Sequence, residues 1–167
     1  DIDFKQDLNF NYLQEKFGKA NEWFIAGNTT FRKGIEKVHN IHADFNFDIS
    51  RLKNDSLVLQ RNVFRLRAGY AFNNDDWRAH VKVGIAIDGP KPFFLADVHV
   101  EKRLYQHSII AYIDYQHRYE KNSLNSLIHT NNFIWNWASI KNTTNGDLGI
   151  GLKGTAQNLS YNLAFHF

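Results

Sequence analysis

Cysteine and methionine are both missing from these 167 residues, and proline occurs just twice. Without cysteine there is no disulfide staple, no thiolate nucleophile and no thiolate metal ligand. With so little proline, turns have to be built from Gly, Asn, Asp and Ser. Long apolar runs are missing too, and no stretch approaches the ~18 residues that a transmembrane helix needs. Nor does one sign of charge dominate. Lys and Arg number 20 against 17 Asp and Glu, for a net charge of +3, and no basic helix or tail points to nucleic acid. There is no H-E-x-x-H, no calcium-loop pattern and no G-x-S-x-G. His39 and His42, three apart, would fall on opposite faces of a strand. Neither a metal, a cofactor nor an enzymatic activity is therefore expected. The sequence opens on Asp1, so a signal peptide is expected to have been removed or never to have been part of the chain.

What the chain has instead is aromatic richness combined with overall polarity. Phe, Tyr and Trp make up 15% of residues, yet the mean hydropathy is −0.47. Such a composition needs two surfaces of opposite character, finely interleaved, and strict alternation supplies them. Ile2, Phe4, Leu8, Phe10 and Tyr12 fall between Asp1, Asp3, Lys5, Asp7, Asn9 and Asn11. A period of two sends these sets to opposite faces of a β-strand. The pattern recurs with Phe45 and Phe47 against Asp44 and Asp48, and with Phe64, Leu66 and Tyr70 against Arg61, Val63, Arg65 and Arg67. It recurs again with Val81, Val83 and Ile85 against Arg78, His80 and Lys82, and with Phe94, Val98 and Val100 against Asp97, His99 and Glu101. Ile109, Ile113, Tyr115 and Tyr119 oppose Tyr112, Asp114, Gln116 and Arg118, and Phe133, Trp135 and Trp137 oppose Asn132 and Asn136.

Between these runs lie turn signals such as KNDS, NNDD, DGPKP and NTTNG. Residues 22–33 and 146–155 add two weaker strands, which makes about ten, joined by short hairpins within a single domain over residues 1–167. Several runs reach about 10 to 15 residues, whereas globular strands average about 5 to 6. A bilayer-crossing strand needs about 9 to 11. Aromatics also gather near strand ends, at Tyr12, Phe17, Trp23, Trp77, Tyr119, Trp135 and Trp137, as in the interfacial girdles of membrane barrels.

The chain ends on YNLAFHF, with Tyr161, Leu163, Phe165 and Phe167 alternating up to the last position. Together with the strand pattern, this resembles the C-terminal signature of Gram-negative bacterial outer-membrane β-barrels. His166 stands where that family often has an aromatic or aliphatic residue. The resemblance implies an all-β, closed, antiparallel up-and-down transmembrane barrel in the outer membrane. The lipid bilayer and the barrel-assembly machinery would be its partners, and Tyr161, Leu163, Phe165 and Phe167 its assembly signal. The first and last strands would pair to remove both edges.

The polar face would then line a narrow interior. A hairpin register pairing Phe72 with Trp77 would set Arg67 opposite Lys82, like against like. A register across KNDS would set Asp48 against Arg61 and Asp44 against Arg65. Such ladders could simply fill the interior. Alternatively, Arg61, Arg65, Arg67, Arg78, His80 and Lys82, facing Asp44, Asp48, Asp97, His99, Glu101 and Asp114, would line a channel for small polar or anionic solutes. His80, Asp97, His99, Glu101 and Asp114 could also form an acid–base cluster, though no nucleophile motif accompanies them. Two further alternatives are a closed structural or anchoring barrel, such as the C-terminal membrane domain of a longer protein, and a water-soluble ligand-binding barrel with the apolar face inside.

Overall fold

Strict alternation becomes nine long strands in the computed structural model, which describes residues 2–15, 20–53, 55, 58–105, 108–122, 141–156 and 159–167. The strands are β1 (Ile2–Glu15), β2 (Ala20–Gly34), β3 (His39–Lys53), β4 (Val58–Asn73), β5 (Trp77–Asp88), β6 (Lys91–Leu104), β7 (Ile109–Glu120), β8 (Thr143–Ala156) and β9 (Leu159–His166). Each pairs antiparallel with its neighbours in sequence, in the order β1-β2-β3-β4-β5-β6-β7-β8-β9. The all-β, up-and-down antiparallel architecture is thus as the alternation predicts.

The closed barrel is not. β1 pairs only with β2 and β9 only with β8 among the described residues, so the sheet keeps two open edges. The strand number explains why simple closure fails. With nine strands, β1 and β9 run in the same direction, so an antiparallel closing ladder between them is impossible. They also differ in length, fourteen residues against eight. The tenth strand expected around Phe133, Trp135 and Trp137 lies outside the described residues, as does Phe17.

Open as it is, the sheet curls strongly. Arg65 Nε on β4 donates to the Tyr119 carbonyl on β7 at 3.3 Å. In a flat sheet those strands would stand about 14 Å apart, beyond an arginine's reach. The result is a trough with a concave and a convex face. The convex face carries the apolar set: Phe4 is 65% exposed, Leu66 54%, Val83 46% and Phe165 71%. The concave face carries the polar set, with Asp44, Glu101 and Ser50 buried. This is the reverse of a soluble barrel, whose interior is apolar.

Two registers differ from expectation. At the β4–β5 hairpin, Asn73 pairs with Arg78 and Phe72 with Ala79, two residues away from the Phe72–Trp77 pairing. An Asx turn sets this. Asn74 Oδ1 accepts from the backbone N–H of Asp76 at 3.0 Å and of Trp77 at 2.7 Å, which holds Asp75 and Asp76 in the turn between Asn74 and Trp77. Arg67 consequently faces Gly84, and Lys82 faces Gly69, so the like-charge pair never forms. Across β3–β4, Asp48 lies opposite Val63 and Asp44 opposite Arg67, so the expected Asp48–Arg61 and Asp44–Arg65 rungs are absent. At the β5–β6 turn Gly89 has φ 59, and a Cβ there would meet nothing within 4 Å. The positive φ alone calls for glycine, as at the first central position of a primed hairpin turn.

Candidate functional site

β4 runs along the floor of the trough, and its small residues let side chains from β3 and β5 meet above it. Gly69 is the clearest case: a Cβ there would lie 2.1 Å from His42 Nε2 and 2.7 Å from Lys82 Cγ. Over this gap Lys82 Nζ reaches Asp44 at 2.8 Å, and His80 Nε2 meets His42 Nε2 at 3.2 Å with the two rings stacked. Gly84 does the same for Arg67, whose stem would collide with any side chain at that position. Gly151 leaves room for Tyr112, whose hydroxyl donates to Asn162 at 2.9 Å.

The charges pair along diagonals rather than along rungs. Arg65 forms an ion pair with Asp48, both largely shielded. Toward the end of the trough that carries the β2–β3 and β4–β5 connections, His99 is held on both ring nitrogens. Nδ1 bonds Asp114, and Nε2 lies 2.9 Å from Glu101. Glu101 also takes Lys153, with Arg78 3.7 Å away. With both nitrogens engaged by carboxylates, His99 has no lone pair to offer a substrate, so this cluster is built as an ion network.

The opposite end is plugged. Beyond Ala96↔His117, the last rung between β6 and β7, Tyr119 turns inward. The alternation had placed it with the outward set, and the structure corrects this: Tyr119 packs with Val63, Ala86, Leu95 and Phe93, stacked on the Phe93 ring at 4.3 Å. Its hydroxyl donates to Asp88. Asn142 donates to the same carboxylate at 2.7 Å and accepts from Arg61, which also reaches the Asn122 carbonyl. Lys121 Nζ crosses the trough to the carbonyls of Asp48 at 3.2 Å and Arg61 at 3.0 Å. Burial there holds its ammonium down to about 8. A second apolar cluster, Ala20 and Leu52 with Leu13 and Leu59, adds to the seal.

Between plug and ion network lies a cavity of about 700 Å³. Asn46, Arg65, Arg67 and Asp97 line it together with residues 117–122, the end of β7 and the two residues after it. Of the cations expected on this face, Arg61, Arg65, Arg78 and Lys82 all have protein partners. Arg67 has none: its Nε is buried without a hydrogen-bond acceptor among the described residues.

The twelve charged residues predicted from the sequence thus share one concave face, but in three groups rather than as one basic and one acidic wall. Sequence reasoning missed Tyr119, Lys121, Asn142, Asp88, His42 and Lys153. The first four belong to the plug: Tyr119 breaks the alternation, Lys121 and Asn142 lie outside strands, and Asp88 is the last inward position of β5. His42 and Lys153 are in phase with the inward set. The terminal residues Leu163, Phe165 and Phe167 are exposed on the convex side, and the Phe167 backbone still pairs with Leu148 at 3.0 Å. Tyr161 lies over Gly154, with its hydroxyl 3.4 Å from the Ser108 carbonyl.

No helix among the described residues is long and apolar enough to cross a membrane, a test that does not bear on strands. No group of three or more His, Asp or Glu among them could hold a metal ion. Comparison with known protein families, with curated proteins and with solved structures finds no match to this chain.

Proposed function

We propose that the chain is an outer-membrane β-sheet whose convex face meets lipid and whose concave face forms a polar wall along which small polar or anionic solutes move. The observation that carries this reading is the inversion of burial: large apolar side chains outside, charged ones inside. Removing apolar surface from water contributes about 25 cal/mol per Å², and in water a sheet with this convex face would forgo most of that gain. Lipid restores it.

The dimensions agree. On β5 the outward apolar set runs from Trp77 to Ile87. Ten residue steps at about 3.4 Å, tilted about 40°, rise roughly 26 Å. The apolar band of outer-membrane barrels is about 25 Å tall. Lipid also imposes a requirement, because the backbone groups on the free edges of β1 and β9 would need hydrogen-bond partners.

The plug favours a second reading, a wall that anchors and does not conduct. Two measurements separate the possibilities. Detergent-extracted protein should migrate differently in SDS gels before and after boiling, and its absence from detergent-free solution should accompany that shift. A well-behaved monomer in plain buffer would end the membrane reading. Ion conductance in planar bilayers then supports transport, and a silent bilayer containing folded protein supports the anchor.

A further inference from the structure

We infer that the cavity beside the 117–122 segment is a binding site for a hydroxylated monocarboxylate of the sugar-acid class, with Arg67 as its carboxylate-binding group. The inference rests on the concave face being open to solutes, as proposed above, and names the solute class that face accepts.

Arg67 is the reason to expect a ligand. A buried guanidinium nitrogen without an acceptor costs stability, so such groups almost always have one. Each obvious protein partner is taken or out of range. Asp44, directly across the rung, is held by Lys82 at 2.8 Å. Asp48 is held by Arg65. Asp97 and Glu120 line the same cavity, and among the described residues neither forms an ion pair with Arg67. Gly84 adds a second, independent sign. The backbone opposite Arg67 is stripped of its side chain, so the arginine stem lies flat across β5 toward β6.

The cavity's chemistry narrows the ligand. Its volume, about 700 Å³, falls within the range typical of small-molecule sites. The two Nη nitrogens of an arginine form a planar fork that matches a carboxylate. Asp97 and Glu120 stand on the same walls and accept hydrogen bonds, which suits hydroxyl groups, while Arg118 and Lys121 add further cations to the lining. Asn46 and Asn122 can both donate and accept. A singly charged, polyhydroxylated acid satisfies all of these groups.

The test is calorimetric titration of the folded protein with glucuronate, glucuronate methyl ester, inorganic phosphate and glucose. Glucuronate should bind. The methyl ester, which keeps the hydroxyls but loses the charge, should bind about 10- to 100-fold more weakly, as loss of a charge-assisted pair implies. Arg67→Gln should weaken glucuronate by a similar factor. The ester comparison uses the unaltered protein, so it decides the matter even where Arg67→Gln fails to fold. No heat with glucuronate, equal binding of acid and ester, tighter binding of phosphate, or unchanged affinity in folded Arg67→Gln would each overturn the site. The membrane reading fails separately: a chain that folds as a monomer in plain buffer and still discriminates acid from ester keeps the site and loses the lipid. A gel-mobility shift without glucuronate binding does the opposite.

Discussion

Replacing Val83 by arginine separates a lipid-facing convex surface from one that faces water. Val83 lies in the middle of β5, 46% exposed, and pairs with Ala68 and Ala96, so a larger side chain there meets small neighbours. In water the substitution would be ordinary surface chemistry, within about 0.5 kcal/mol of neutral. At a bilayer midplane it should cost about 2–4 kcal/mol. Ile87 provides the internal control. It is four residues further along the same face, roughly 10 Å nearer the interface at a 40° tilt, where arginine costs about 0–1 kcal/mol. The assay is urea unfolding in lipid vesicles. With a slope of about 2 kcal/mol/M, Val83→Arg should lower the midpoint by about 1–2 M and Ile87→Arg by less than about 0.5 M. Equal, small shifts at both positions would refute the lipid-facing assignment, because a water-facing strand has no depth dependence.

Other consequences are as direct. Asp48→Asn should destabilise by about 3–5 kcal/mol by leaving the shielded Arg65 unpaired, and Asp48→Leu with Arg65→Met should recover much of that loss in the same unfolding assay. Gly84→Ala should cost about 1–3 kcal/mol, since its Cβ would sit 2.1 Å from the Leu66 carbonyl oxygen, whereas Gly146→Ala, with its nearest contact at 3.7 Å, should be near neutral. A similar effect of the two would show that the close approach at Gly84 is not rigid. Lys121 titrates near 8 when folded and near 10.5 when unfolded. Between those values the unfolded chain binds more protons, so stability should rise with pH across this window. Lys121→Met should flatten the rise relative to the parent, and parallel pH profiles would rule this out.

The strands and their faces were legible because alternation is local: each of Phe45, Leu66 and Val83 is placed by its immediate neighbours. Register was not. Shifting β5 by two residues keeps every side chain on its face, so periodicity cannot distinguish Arg67 opposite Lys82 from Arg67 opposite Gly84. The choice was made by the Asn74 side chain, a turn detail inside NNDD. Closure was equally hidden, since it depends on how many strands there are and in which direction the last one runs. The site was half legible. Its residue types and common face followed from the pattern, but which arginine is left without a partner depends on diagonal contacts such as Lys82–Asp44, which skip a strand. Tyr119 was misplaced because the alternation slips phase near His117, where the ladder to β6 ends while the ladder to β8 runs on to Glu120.

The order in which strands are stitched together also sets the order in which the molecule can form. Every ladder joins consecutive strands, and all but β7–β8, which residues 121–142 separate, close a short stretch of chain that can template the next. The plug obeys a different rule. Lys121 reaches Asp48 across 73 residues and Arg61 reaches Asn142 across 81. Those contacts close long loops, and they have no geometry until β3 through β7 have curled far enough to bring the two rims together. Assembly therefore proceeds as a zipper with a latch. Rungs β1 to β7 form progressively, and the Tyr119–Asn142 cluster engages last, fixing a curvature that the hairpins alone leave adjustable.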